Sequence, residues 1–219
     1  MTDDRVEPEL MRAAARFRVL GLLLERPRGG WHDEVGRLAG ELAGEDQDIR
    51  QAAAAARTAT EGQYLAVFGP GAIVSPREVT YRGFEDPGAI LADLAAFYRA
   101  FAFTPNVEEP ADHVAVEAGF LGYLHLKTAF ARAQGELEKA QVCADAAAAF
   151  LTAHLGMVAE PLADRLASAP DRAPHLALAA RALAARIASM PSPQSMPSPQ
   201  RMPPGGSLRP PQSALRAPE

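Results

Sequence analysis

The sequence predicts an all-α fold: a single helical-bundle domain of about eight helices, with one long ordered loop and a disordered C-terminal tail. Three observations lead there. Residues 7–25 repeat apolar side chains at Leu10, Ala14, Phe17, Leu20 and Leu24, the spacing that lines one helix face. Alanine-rich runs such as 51–58 and 144–150 favour helix intrinsically. No segment carries the sustained alternation of a strand ladder.

The elements follow in order. Pro8 suits a first helical turn, and RPRGG after Glu25 ends the first helix. WHDEVGRLAGELAG, from Trp31, reads as a weaker second helix ending near Gly44. One long helix is then expected from an Asp46 or Asp48 cap through to Phe68, with Gly62 inside it. Residues 69–88 break the pattern with Gly, Pro, Ser and Asp, and only EVTYR has strand-like residues. The apolar Ile73, Val74, Val79, Tyr81 and Phe84 predict that this loop packs on the body. Helices resume at Pro87, from Pro110 to about Gln134, from Glu136 with a break expected near Pro161, and from His175 to Ser189.

Composition changes at Met190. MPSPQS is followed by MPSPQR, and residues 190–219 hold many prolines and one acid, Glu219. The domain is therefore assigned to 1–189, and 190–219 to a flexible tail that buries too little surface to order itself. The formal charge of the whole chain is −5. This disfavours non-specific binding to nucleic acid or an anionic membrane and favours a basic peptide. Cys143 is the only cysteine, so neither an internal disulfide nor a cysteine zinc cluster forms within one chain. The apolar run Val19–Leu24 is too short for a signal sequence or span, giving a cytoplasmic expectation without stable membrane insertion.

The chemistry concentrates in EPADHVAVEAGFLGYL, residues 109–124. Pro110 is expected as a first helical residue, with Glu109 or its neighbour as cap and Asp112 in the first turn. His113, Val116, Glu117, Phe120 and Leu124 then share one stripe, and Ala115, Ala118, Gly119 and Gly122 lie opposite. Three readings stand side by side. In the first, Asp112 offsets the helix dipole and His113 is a hydrogen-bonded core histidine. In the second, His113 and Glu117 are metal ligands or catalysts, although zinc needs three or four ligands and no second ligand pair or nucleophile motif occurs. In the third, acids and imidazole rim a groove for a ligand with a basic head and an apolar body. An imidazole between two carboxylates is expected to hold its proton more tightly, making ligand affinity change between about pH 6 and 8.

These residues resemble the TorD/DmsD/NarJ family of cytoplasmic chaperones that mature molybdenum-containing redox enzymes. Glu109, Pro110, Asp112, His113, Glu117, Phe120 and Leu121 match its motif, and Ala118 departs from it. Tyr64, Phe68, Gly69, Pro70, Pro76 and Tyr81 match a second, loop-centred segment, where Arg77 stands in place of a bulky residue. The resemblance covers about residues 10–187. It implies a non-enzyme, with no cofactor of its own, that binds the N-terminal signal peptide or an adjacent segment of the catalytic subunit of a molybdopterin-containing oxidoreductase. Asp112, His113 and Glu117 would favour a twin-arginine head, and Glu109, Pro110, Pro70 and Pro76 would also belong to the peptide-binding site. Val67, Phe68, Tyr81 and Phe120 would meet the apolar part. A monomer or a domain-swapped dimer hinged near Gly135 is compatible with the family. The rival readings are a helical adaptor that binds a folded partner and a metal-dependent hydrolase.

Overall fold

A computed structural model describes residues 6–42, 44–105 and 107–190. The proline-rich tail lies outside them. The helices are α1 (Val6–Leu23), α2 (Trp31–Gly40), α3 (Gln47–Ala56), α4 (Glu61–Phe68), α5 (Pro87–Ala100), α6 (Val114–Ala133), α7 (Leu137–Phe150), α8 (Gly156–Ala167) and α9 (Pro174–Ala188). A π-turn at Leu151–Leu155 joins α7 and α8 into one helical run, Leu137–Ala167, so the described residues form eight rods. The described residues contain no strand, only a single isolated bridge between Arg77 and His113. The fold is all-α.

Helix α6 is the axis of the bundle. Val114, Ala118, Phe120, Leu121 and Leu124 are fully buried, because α1 covers one side and the α5 and α7 aromatics another. α1 and α6 approach closely at two glycines. A Cβ on Gly21 would lie 2.9 Å from the Ala115 carbonyl oxygen, and one on Gly122 would lie 3.1 Å from that of Ala14. The small-residue face expected of α6 thus performs the expected close packing, with one exception at Gly119 described below. On the other side Phe120 stacks edge-on to Phe150 and Tyr98, at centroid distances of 4.7 and 4.8 Å.

Four boundaries differ from expectation. The second helix ends at Gly40, short of Gly44. The long helix over 46–68 is two helices, because Thr60 accepts from the Gln63 amide and Gln63 returns a bond to the Thr60 amide, a reciprocal cap that starts α4. Pro161 does not break its helix. It lies inside α8, and the irregularity falls upstream at the π-turn, where Gly156 leaves room that a Cβ would lose by lying 2.6 Å from the Leu151 oxygen. Finally, Pro110 does not open α6. His113 is its cap, with Nδ1 accepting from the Ala115 amide at 3.1 Å, and residues 110–113 form a preceding turn closed by His113 N–H to the Pro110 oxygen at 2.9 Å.

The 69–88 loop is ordered against this turn. EVTYR forms a 3-10 turn over Glu78–Thr80 rather than a strand. Val74 is buried and Tyr81 half-buried, as expected of a packed loop, whereas Ile73 and Phe84 face outward. Gly135 ends α6 with a left-handed φ of 74°, so this connection is a tight turn. The run Leu137–Ala167 is apolar and long enough to cross a membrane by composition, yet its Phe150, Leu155, Val158 and Leu162 side chains are buried in the bundle.

Candidate functional site

The turn 110–113 and the loop 75–81 are stitched together from both sides. Val114 N–H donates to the Pro76 oxygen at 2.9 Å, and Glu78 N–H donates to the Asp112 oxygen at 2.8 Å. Between them the Arg77 guanidinium grips the Asp112 carboxylate, with Nε at 2.9 and 3.1 Å from its two oxygens. Asp112 is fully buried while Arg77 is 41% exposed. The carboxylate expected to meet a ligand is therefore engaged internally.

His113 is also engaged internally. With Nδ1 accepting from Ala115, its neutral ring donates from Nε2 to the Tyr64 hydroxyl, 3.0 Å away. Burial first, and Arg77 second, push its pKa down to about 3. This overturns the expected rise. Asp112 spends its charge on Arg77. Burial, with the neighbouring Glu78 and Asp112, holds the Glu117 carboxyl well above the usual carboxylate range. For His113 desolvation of the ring is the largest influence, so burial decides. His113 then stays neutral from pH 6 to 8, and the affinity change expected of its titration has no source.

Beneath the turn lies a group of polar side chains that sequence spacing did not reveal. Glu78, fully buried, faces His154 Nδ1 at 3.1 Å and Arg82 at 3.3 Å. His154 Nε2 in turn meets Asp93 at 3.1 Å, and Arg82 donates to the Ala153 oxygen at 2.7 Å. The Glu78–Arg82 spacing of four was a visible signal, whereas nothing in the sequence pointed from Glu78 to His154, 76 positions later. Among the described residues, no group of three or more His, Cys, Asp or Glu side chains is placed to hold a metal ion.

Above the turn opens a cleft of about 550 Å³. It brings together Phe68, Pro70, Pro76, Glu109, Pro110 and His113. Val67, Asp112, Glu117 and Phe120 do not reach it. All four are buried behind it, Phe120 in the aromatic core. Tyr81 also stands off the cleft, donating its hydroxyl to the Ser75 oxygen at 2.6 Å with Arg165 over its ring. The charges are mixed rather than acidic: Arg26, Arg28 and Arg77 share the lining with Glu108 and Glu109. Arg26 pairs with Glu61, and Arg28 pairs with Glu108 at 2.8 Å.

The model of the nitrate reductase delta subunit family matches residues 30–163, which include α2 to α6, the loop, the turn and most of the run that ends in α8. The chain belongs to the nitrate reductase delta subunit family. This is the NarJ/TorD type of chaperone, and membership implies a role in molybdoenzyme maturation rather than in catalysis. The delta-family match begins after α1, although α1 supplies the closest packing partner of α6. A search of curated proteins finds no match.

Proposed function

We propose that the chain is a cytoplasmic, system-specific chaperone for the catalytic subunit of a molybdopterin-containing oxidoreductase. It binds that subunit's N-terminal signal peptide or adjacent segment and holds it while the molybdenum cofactor is inserted. The observation that supports this reading is convergence: Phe68 with Pro70, Pro76, and Glu109 with Pro110 and His113 come from three separate stretches and meet on one cleft.

The cleft suits a basic head followed by apolar residues. Glu108 is exposed, and its pair with Arg28 is a surface contact worth no more than about 1 kcal/mol, so an incoming guanidinium displaces Arg28 at small cost. Phe68, Val74 and the three prolines offer the apolar continuation. Asp112, Glu117 and Phe120 serve the ligand indirectly, by fixing the wall it lies against. Binding and release are the whole activity.

The test is to purify the tagged protein from its native host and identify what accompanies it by mass spectrometry. The N-terminal peptide of a recovered molybdoenzyme subunit is then titrated by fluorescence anisotropy. Glu108→Lys is expected to weaken binding about 10-fold, equivalent to about 1.4 kcal/mol, with unfolding unchanged. Recovery of folded proteins alone, or an affinity indifferent to Glu108→Lys, favours a helical adaptor instead.

A further inference from the structure

Between α2 and α3 runs a groove of about 610 Å³, floored by buried Val35, Ala39, Ala53 and Ala56. Its rim is cationic. Arg37 from α2 and Arg50 and Arg57 from α3 line it, against Asp33. Arg37 holds Glu41 at 3.0 Å in an exposed pair, and the Arg50 and Arg57 guanidinium groups have no ion pair among the described residues. In a chain of formal charge −5 this is a local reversal of sign. The groove is also open, since a Cβ added at Gly36 or Gly40 in its lining would meet no atom within 4 Å.

The outer face of α7 has the opposite character. Its inner face, with Ala140, Cys143, Ala147 and Phe150, is buried, and α7 packs on α6. Glu138, Val142, Asp145 and Ala149 fall on one stripe of the other face. All four are exposed, Val142 by 59%. Asp145 accepts from the Gln141 side-chain amide at 2.8 Å, a neutral partner. Glu138 has no ion pair among the described residues, and its neighbour Lys139 pairs with Glu136 at 2.7 Å.

The two surfaces match in length as well as in sign. Arg50 and Arg57 stand seven positions apart on one helix, as Glu138 and Asp145 do on another. Each pair spans about 10 Å at the helical rise. Within one chain α7 packs on α6, whereas α3 packs on α9 and α2, so the two surfaces meet only between copies. A long polyanion would meet the negative charge of the surrounding body, which a short stripe of two acids avoids.

We infer that the α2–α3 groove receives the α7 face of a second copy of this chain. Laid antiparallel along α3, the incoming helix sets Glu138 against Arg57 and Asp145 against Arg50, with Val142 over Ala54 and Arg37 on the facing wall. The contact is head-to-tail: each copy offers its groove to one neighbour and its α7 to another. It rests on exposed charges and is therefore reversible and weakened by salt. The groove shares no lining residue with the cleft beside Arg28, so the inference rests neither on the client nor on that cleft.

Sedimentation of the full chain tests it. In about 0.02 M salt the weight-average mass is expected to rise above that of one chain as the protein is concentrated, and to return to it in about 1 M salt. Arg50→Glu with Arg57→Glu, or Glu138→Arg with Asp145→Arg, leaves a monomer at either salt concentration. Mixing these two double variants restores association, because each then presents charges opposite to those of the other, and this recovery also shows that both are folded. A parent chain that stays monomeric in low salt overturns the inference. So does association that survives either double variant or high salt, which would point to exchanged helices, and so do variants that fail to recover on mixing. A monomeric parent whose binding of a client peptide is lost on Arg50→Glu with Arg57→Glu would give the groove to the client and equally overturn it.

Discussion

Glu117 sits at the base of the buried network, fully buried beside the Glu78 and Asp112 carboxyls. Its folded pKa is raised, so the stability it contributes is complete below the ordinary carboxyl range and is lost as pH rises towards the folded value. Glu117→Gln removes that dependence. Measured by chemical denaturation, the stability of the variant relative to the parent is expected to increase from pH 5 to pH 8, by at most about 1.4 kcal/mol per pH unit. A constant difference would show that Glu117 is ionised in the fold. The sequence placed Asp112, His113 and Glu117 together correctly as neighbours but turned them towards a ligand. Helical periodicity reports a shared face and not what covers that face. Here the cover comes from Arg77 and Glu78 in a loop, whose pairing with the turn has no local signature.

At the scale of the helix, the glycines of α1 and α6 divide into two kinds. Gly21→Ala drives a Cβ to within 2.9 Å of a backbone oxygen that cannot rotate away, so the helices must part, at a cost of about 1–3 kcal/mol. Gly119→Ala meets open space and gains helix propensity of up to about 1 kcal/mol. Thermal unfolding of the two variants should shift in opposite directions. A common sign would mean that Gly119 is packed as Gly21 is. The pattern of small residues was legible in the sequence, but this distinction was not, since it depends on which of four small positions points into the seam. The division of α3 from α4 was partly legible. Thr60 and Gln63 stand at capping-box spacing, yet the alanine-rich run on one side and the apolar run on the other masked the cap.

Across the whole molecule, three histidines are buried in neutral form. Burial depresses His113 to about 3 and His125 and His175 to about 4. Each has a folded pKa below its unfolded value, so each contributes stability that is complete above about pH 6.5 and is lost as pH falls towards the folded value. Glu117 opposes them with a single proton. The unfolding temperature is therefore expected to fall from pH 7 to pH 5, and less steeply in a His125→Gln, His175→Gln chain. An unchanged melting temperature over that range would place the imidazoles in contact with water. The all-α class was legible because helix periodicity and alanine content need no partner to be read. The site was legible only as a set of residues, because its walls depend on contacts between distant segments.

The same distance between segments gives the cleft an order of appearance. The loop at 75–82 leans on the turn at 110–113 and, through Glu78 and Arg82, on Ala153 and His154. On a ribosome the loop emerges well before either support. The loop wall of the cleft is thus synthesised before the supports that give it its shape, and a nascent chain presents no finished cleft until the helix bearing His154 has left the exit tunnel.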